Sequence, residues 1–208
     1  VNVPGSAALL RELARPADGT SDAFISIVSG SPQQLREVLE EKLSLDGVRW
    51  HEFHLKPQLR NLRKGRLRAV KEQVGYKLPL MLASRASLGC SPRETLFGDD
   101  AEVDALIYSL YADILSGRCG FDQVEALLSH VGASAEAKRK SERSLLKLEP
   151  SPAEDDPVET IFIYLDGGSP PALFEPFGPR LIPVFNYYQA ALVLFARGHL
   201  DVRSVLRI

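Results

Sequence analysis

The chain has 208 residues, 45% of them hydrophobic and 25% charged, and a formal net charge of −2, which is the composition of an ordinary globular domain. That near-neutral balance gives no overall pull toward nucleic acid or an anionic membrane. No apolar run reaches the roughly 18–20 residues of a spanning helix, and no signal peptide is visible at the start. The only cysteines, Cys90 and Cys119, fit neither a metal knuckle nor a disulfide framework, so the expected setting is reducing and cytoplasmic.

The first fifteen residues predict a loop running into a helix, with Ser6 as its cap and Leu9, Leu10 and Leu13 on one face. Residues 23–30, AFISIVSG, read as a buried strand. A helix start follows, in which Ser31 caps, Pro32 takes the first helical position and Gln34 closes a capping box. Its apolar stripe is Leu35, Val38, Leu39 and Leu43. Residues 48–55, VRWHEFHL, predict a second strand. His51 and His54 lie three apart there and point to opposite faces, which speaks against shared metal ligation.

Residues 60–77 are strongly basic, with Arg60, Arg63, Lys64, Arg66, Arg68 and Lys71. Aromatic side chains are not interleaved among these charges, so a solvated helix face is the expectation and no nucleic-acid partner is predicted. Residues 78–86, LPLMLASRA, predict a short helix; 94–98, ETLFG, a third strand; and 99–115 a helix with a stripe of Val103, Leu106, Ile107, Leu110 and Ile114, ended by Gly117. A further helix is expected at 121–131, and 136–157 reads as a helix tail leading into an exposed polar connection. Residues 158–165, VETIFIYL, form the fourth predicted strand, and 186–200 an apolar helix buried on most sides. Strands alternating with helices imply an α/β fold with a mostly parallel sheet.

The chemistry concentrates after the third strand. Asp99, Asp100, Glu102 and Asp104 occupy four of six positions. Ligands gather at the carboxyl ends of strands in such folds. One acid is enough to cap a helix; several together are relieved by a hard cation, and Mg²⁺ takes oxygen ligands completed by water and phosphate.

Three stretches, ISIVSGSP, the lysine of GYKLP and LFGDDAEVD, follow one another in the order of the second, third and fourth motifs of the haloacid dehalogenase-like hydrolases. The chain resembles that superfamily over roughly Val3 to Leu115, and PGSAALLREL is similar to the helix after its first motif; the spacing is similar to that of the phosphatidate-phosphatase-like branch. The resemblance implies a doubly wound, mostly parallel sheet and Mg²⁺-dependent hydrolysis of a small phosphate monoester through an aspartyl-phosphate intermediate. It also implies roles: Ser29 hydrogen-bonds the phosphoryl group, and Lys77, preferred over Lys56, Lys64 and Lys71, neutralises charge on it. Asp99 and Asp100 bind Mg²⁺, and Asp104 supports the metal or positions Lys77. Glu102 is expected to face solvent.

One part of the pattern is missing. The Asp-x-Asp pair that supplies the nucleophile and the acid should precede the first helix, yet only Val1, Asn2 and Val3 do. Asp166 follows a strand, but residue 168 is Gly, so Asp166 reads as a turn former. The expectation is a family core lacking its first, central strand, with a C-terminal helical extension. Its divisions are residues 1–120 as the core, 121–157 as helix and polar linker, and 158–208 as a strand and helix packing on that core. A degenerate, non-catalytic binding module is the alternative. Arg180 is the best candidate for a phosphate contact in the Pro/Gly-rich C-terminal block. Oligomeric state is not legible.

Overall fold

The computed structural model describes residues 3–15, 23–57, 66–89, 92–149 and 156–208, with the backbone alone for 66–70. It is an α/β structure with two sheets of parallel-paired strands. The chain divides into two compact units, one built from residues 1–59 and 184–208, the other from 60–183. This division cuts across the expected core of residues 1–120.

In the first unit, α1 (Ser6–Leu13) is followed by β1 (Ser26–Pro32), α2 (Arg36–Leu45) and β2 (Glu52–Lys56). β1 and β2 pair in parallel from Ser26 opposite Glu52 to Ser29 opposite Leu55, and the register then shifts so that Pro32 meets Lys56. That extra pairing corrects the expected capping box. Ser31 and Pro32 remain in the strand, a 3₁₀ turn at Gln33–Leu35 intervenes, and α2 starts at Arg36 without a side-chain cap. Nor does Ser6 cap α1: it lies inside the helix and donates to the Val3 carbonyl at 2.8 Å, while Gly5 takes the cap position at φ +82°.

The unit returns through α7 (Tyr187–Ala196) and the short α8 (Val202–Val205). Asn186 caps α7 by accepting the Gln189 N–H at 2.9 Å. Only one face of α7, Ala190, Ala191 and Leu194, is buried, whereas Tyr188, Leu192 and Phe195 are exposed. The expectation of burial on most sides is therefore corrected. Arg207, just past α8, grips the buried Glu12 of α1 at 2.6 and 3.0 Å, and this guanidinium lowers the Glu12 pKa.

The second unit contains α3 (Arg66–Ser87), a single helix of 22 residues that takes in residues 66–77 of the basic stretch and the short helix expected at 78–86. Pro79 lies inside it; the residue four positions earlier is Gly75, which has no side chain to crowd the proline ring. β3 (Glu94–Asp99), α4 (Asp104–Leu115), α5 (Phe121–His130), α6 (Ala135–Leu145), β4 (Val158–Tyr164) and β5 (Leu181–Val184) follow. The segment expected as a helix tail is a helix in its own right: Ser134 caps α6 by accepting the Ala137 N–H at 3.1 Å.

β3 pairs in parallel with β4, and the sheet order is β3–β4–β5. β4 is nearly all apolar, with Val158, Ile161, Phe162 and Ile163 buried, as a strand covered on both faces must be. Phe97 stacks on Phe162 at 5.3 Å. Leu78, Leu82, Ile107, Tyr111 and Leu128 complete the core, each large side chain contributing about 1.5–3 kcal/mol on burial. β1 and β3 are end strands of separate sheets. Among the described residues no helix is long and apolar enough to cross a membrane.

Candidate functional site

The C-terminal end of β3 gathers the charged residues. Gly98 permits this: a Cβ there would lie 2.6 Å from the Asp104 Cβ and 2.8 Å from the Tyr108 ring. Only glycine lets the start of α4 press against the strand. Tyr108 fixes that approach by donating its hydroxyl to the Phe97 carbonyl at 3.1 Å.

Lys77 enters this end from the middle of α3, not from a helix start as its sequence context predicts. Its side chain is 4% exposed, and Nζ lies 2.5 Å from Asp104 Oδ1 and 2.6 Å from Glu102 Oε2. Burial alone depresses an ammonium, but Asp104 and Glu102 overcome that and hold the Lys77 pKa above its ordinary value. Asp104 is equally buried; desolvation raises its pKa, and Lys77 opposes the rise. Lys71, a competing candidate, donates to the His130 carbonyl at 3.4 Å.

Glu102 departs from the sequence expectation. Rather than facing solvent, it binds Lys77 and accepts from Gln73 Nε2 at 2.8 Å. Gln73 went unrecognised in the sequence, although the signal is there: it stands four residues before Lys77, on the same face of one long helix.

Asp99 and Asp100 have separate tasks. Asp99 Oδ1 accepts the N–H groups of Ala101 and Glu102 at 3.0 and 3.2 Å, which shapes the turn into α4, and Oδ2 has no partner among the described residues. Asp100 reaches across to the loop after β4. Its two oxygens accept the Gly167 N–H at 2.6 Å and the Ser169 N–H at 2.9 Å. Burial pushes the Asp100 pKa up, but these backbone donors outweigh it and the net direction is down. A Cβ on Gly167 would lie 3.1 Å from this carboxylate, a tight contact, and Gly168 sits at φ +72°. Asp166 is exposed at the head of the loop, consistent with its reading as a turn residue.

The remaining candidates lie elsewhere. Ser29 belongs to β1 in the other unit, where its Oγ accepts the Ser31 N–H at 3.1 Å. His51 accepts from the Ile25 N–H and stacks on Phe24, while His54 sits 3.3 Å from Glu52. Arg180 is not free for a phosphate: its two terminal nitrogens bind Asp156 and Asp113, and Arg118 binds the same two acids. Arg60, Arg63, Lys64 and Cys90 lie outside the described residues.

Two carboxylates, Asp104 and Glu102, thus hold the ammonium, while Asp99 and Asp100 at the same strand end are engaged by backbone N–H groups. Among the described residues no group of three or more His, Cys, Asp or Glu is arranged to enclose a metal ion. Mg²⁺ does not need such a cage, since it keeps most of its water and takes one or two carboxylates. Asp99 Oδ2 has no partner among the described residues, and Asp100 keeps lone pairs beyond its two backbone bonds.

No protein-family model, curated protein or solved structure matches the chain.

Proposed function

We propose that this chain is the greater part of a Mg²⁺-dependent phosphatase of the haloacid dehalogenase-like type, with a doubly wound core. The observation that carries the reading is the buried Lys77, held by Asp104 and Glu102 beside the acidic turn that ends β3. A fixed cation and a hard-metal ligand set at one strand end are what transfer of a phosphoryl group requires. Asp99 and Asp100 would hold Mg²⁺, which supplies charge neutralisation for the phosphate. Asp104 keeps Lys77 charged and aimed, and Lys77 holds the phosphoryl oxygens. These 208 residues contain no Asp-x-Asp pair, so no residue among them is assigned the part of nucleophile in this reading.

The test is turnover of a generic aryl phosphate by the complete protein. Activity should require Mg²⁺ and collapse in Asp100→Asn. Unchanged turnover in that variant removes the site assignment.

A second reading is favoured by the hydrogen bonds of Asp100. Both of its oxygens are engaged by the Gly167 and Ser169 amides, so the acid also serves the fold. A binding module would keep that contact and need no nucleophile. If the complete protein lacks an aspartate nucleophile and turns over no phosphate ester, the module reading stands.

A further inference from the structure

A groove of about 650 Å³ runs between the C-terminal part of α3 and the length of α6. Its α3 wall is made of Ala83, Ala86 and Ser87, and Ser144 of α6 completes a floor of small side chains. The two helices close on each other there through buried Ser141 and Ser144.

Four cations line the other wall: Arg139, Lys140, Arg143 and Lys147. All four are exposed, and none forms an ion pair among the described residues. Glu136 is the single anion in the lining. Arg139 and Arg143 are one helical turn apart, about 6 Å along the axis, and Lys147 continues the row in the turn that follows α6. In a chain whose formal net charge is −2, such a concentration of unneutralised positive charge in one concavity is a local feature, not a reflection of composition.

The lining discriminates among anionic partners. It holds no aromatic side chain for stacking bases, which single-stranded nucleic acid binding uses. It offers no large apolar residue to enter a bilayer or anchor a peptide side chain. What remains is electrostatic attraction plus the fork-shaped donors of two guanidiniums, which match phosphate oxygens. An attraction of that kind favours the ligand with the greatest charge in the least space. We infer that this groove binds a compact polyphosphate, a molecule carrying several phosphate groups within the span of Arg139 to Lys147. It does so independently of the acidic turn at β3.

Calorimetric titration of the full chain with sodium tripolyphosphate, in magnesium-free low-salt buffer, tests this. The expected result is saturable binding that weakens at least tenfold in Arg139→Glu/Arg143→Glu and at least threefold in Arg143→Gln. Binding should be unchanged in Lys138→Glu, because Lys138 bonds Ser129 and is not part of the groove. It should also weaken steeply between 50 and 200 mM salt, scaling with the phosphates neutralised. Circular dichroism establishes that each variant is folded; should the double variant not fold, the single Arg143→Gln decides. Two further probes fix the source of the phosphates. Co-sedimentation with vesicles bearing a polyphosphorylated headgroup, but not with phosphatidylcholine vesicles, points to a lipid; binding of free tripolyphosphate alone points to a soluble ligand. Absence of tripolyphosphate binding, equal loss in Lys138→Glu, or tighter binding of an oligothymidylate than of tripolyphosphate overturns the inference.

Discussion

The two ends of β3 hold the same kinds of groups in opposite proportions. At the N-terminal end, Glu94 faces Arg85 at 2.5 Å and accepts the Tyr111 hydroxyl at 3.0 Å on both oxygens, while Arg85 also donates to the Pro92 carbonyl. One half-buried carboxylate meets one buried cation, and the charges balance. At the C-terminal end, Glu102 and Asp104 share the ammonium of Lys77, Asp99 and Asp100 turn to backbone N–H groups instead, and one oxygen of Asp99 is left without a partner among the described residues. A balanced buried pair ties elements together; an unbalanced cluster has charge left over for something else. Ion pairing alone therefore does not mark a site. The excess of one sign does.

The largest expected effect is at the balanced end. Arg85→Leu leaves the half-buried Glu94 without its cation and should cost about 3–5 kcal/mol in urea unfolding at neutral pH. Burial raises the folded-state pKa of Glu94 above 4.5, and Arg85 and Tyr111 oppose that rise. Without Arg85 the elevation grows. A carboxyl with a raised folded pKa favours the folded state below its unfolded pKa and loses that contribution as pH rises through the folded one. The deficit of Arg85→Leu should accordingly shrink as pH falls from neutral toward 4.5. A loss below about 1 kcal/mol, the range of exposed ion pairs, would erase the distinction drawn between the two ends.

A smaller effect is expected where the strand meets α4. Gly98→Ala drives a methyl group into Asp104 and Tyr108, an overpacking that costs about 1–3 kcal/mol. It should also displace Asp104 from Lys77, which NMR of the Lys77 ammonium would register. If the variant is as stable as the parent, the close approach is not needed.

The smallest stability change belongs to Asp100→Asn, which weakens charge-assisted bonds to two amides that lie near solvent, a loss on the order of 1 kcal/mol. Amide exchange at Gly167 and Ser169 should accelerate while that of β4 does not. Uniform acceleration across the sheet would mean that Asp100 supports more than its loop.

The contrast also shows what was legible in the residues themselves. β3, β4 and α4 announce themselves by local pattern, and so does the acidic turn, but Leu106 of the expected stripe is exposed and Tyr108 and Tyr111 are buried in its stead. Lys77 stands in a motif, and the structure buries it against Asp104, but its place in mid-helix has no local signal. Pro79 and the charges before it masked the continuity of α3, because propensity and charge compete locally with the packing of α3 on α6. Glu102 was misjudged for a related reason: its partner Gln73 is 29 positions away, and only the path of α3 brings them together. The single turn from Ser31 to Gln34 carries a helix-start signal that the pairing of Pro32 with Lys56 overrides. The extra pairing of a strand is a tertiary effect that no local signal contains.

The central claim is that the end of β3 near Gly98 carries uncompensated negative charge suited to a hard divalent cation. Thermal unfolding of the chain with and without Mg²⁺, in parent and Asp99→Asn, tests it directly. The account predicts that millimolar Mg²⁺ raises the midpoint of the parent, as any ligand of the folded state must, and that the rise vanishes in Asp99→Asn. A midpoint indifferent to Mg²⁺, or an equal rise in both proteins, would contradict it.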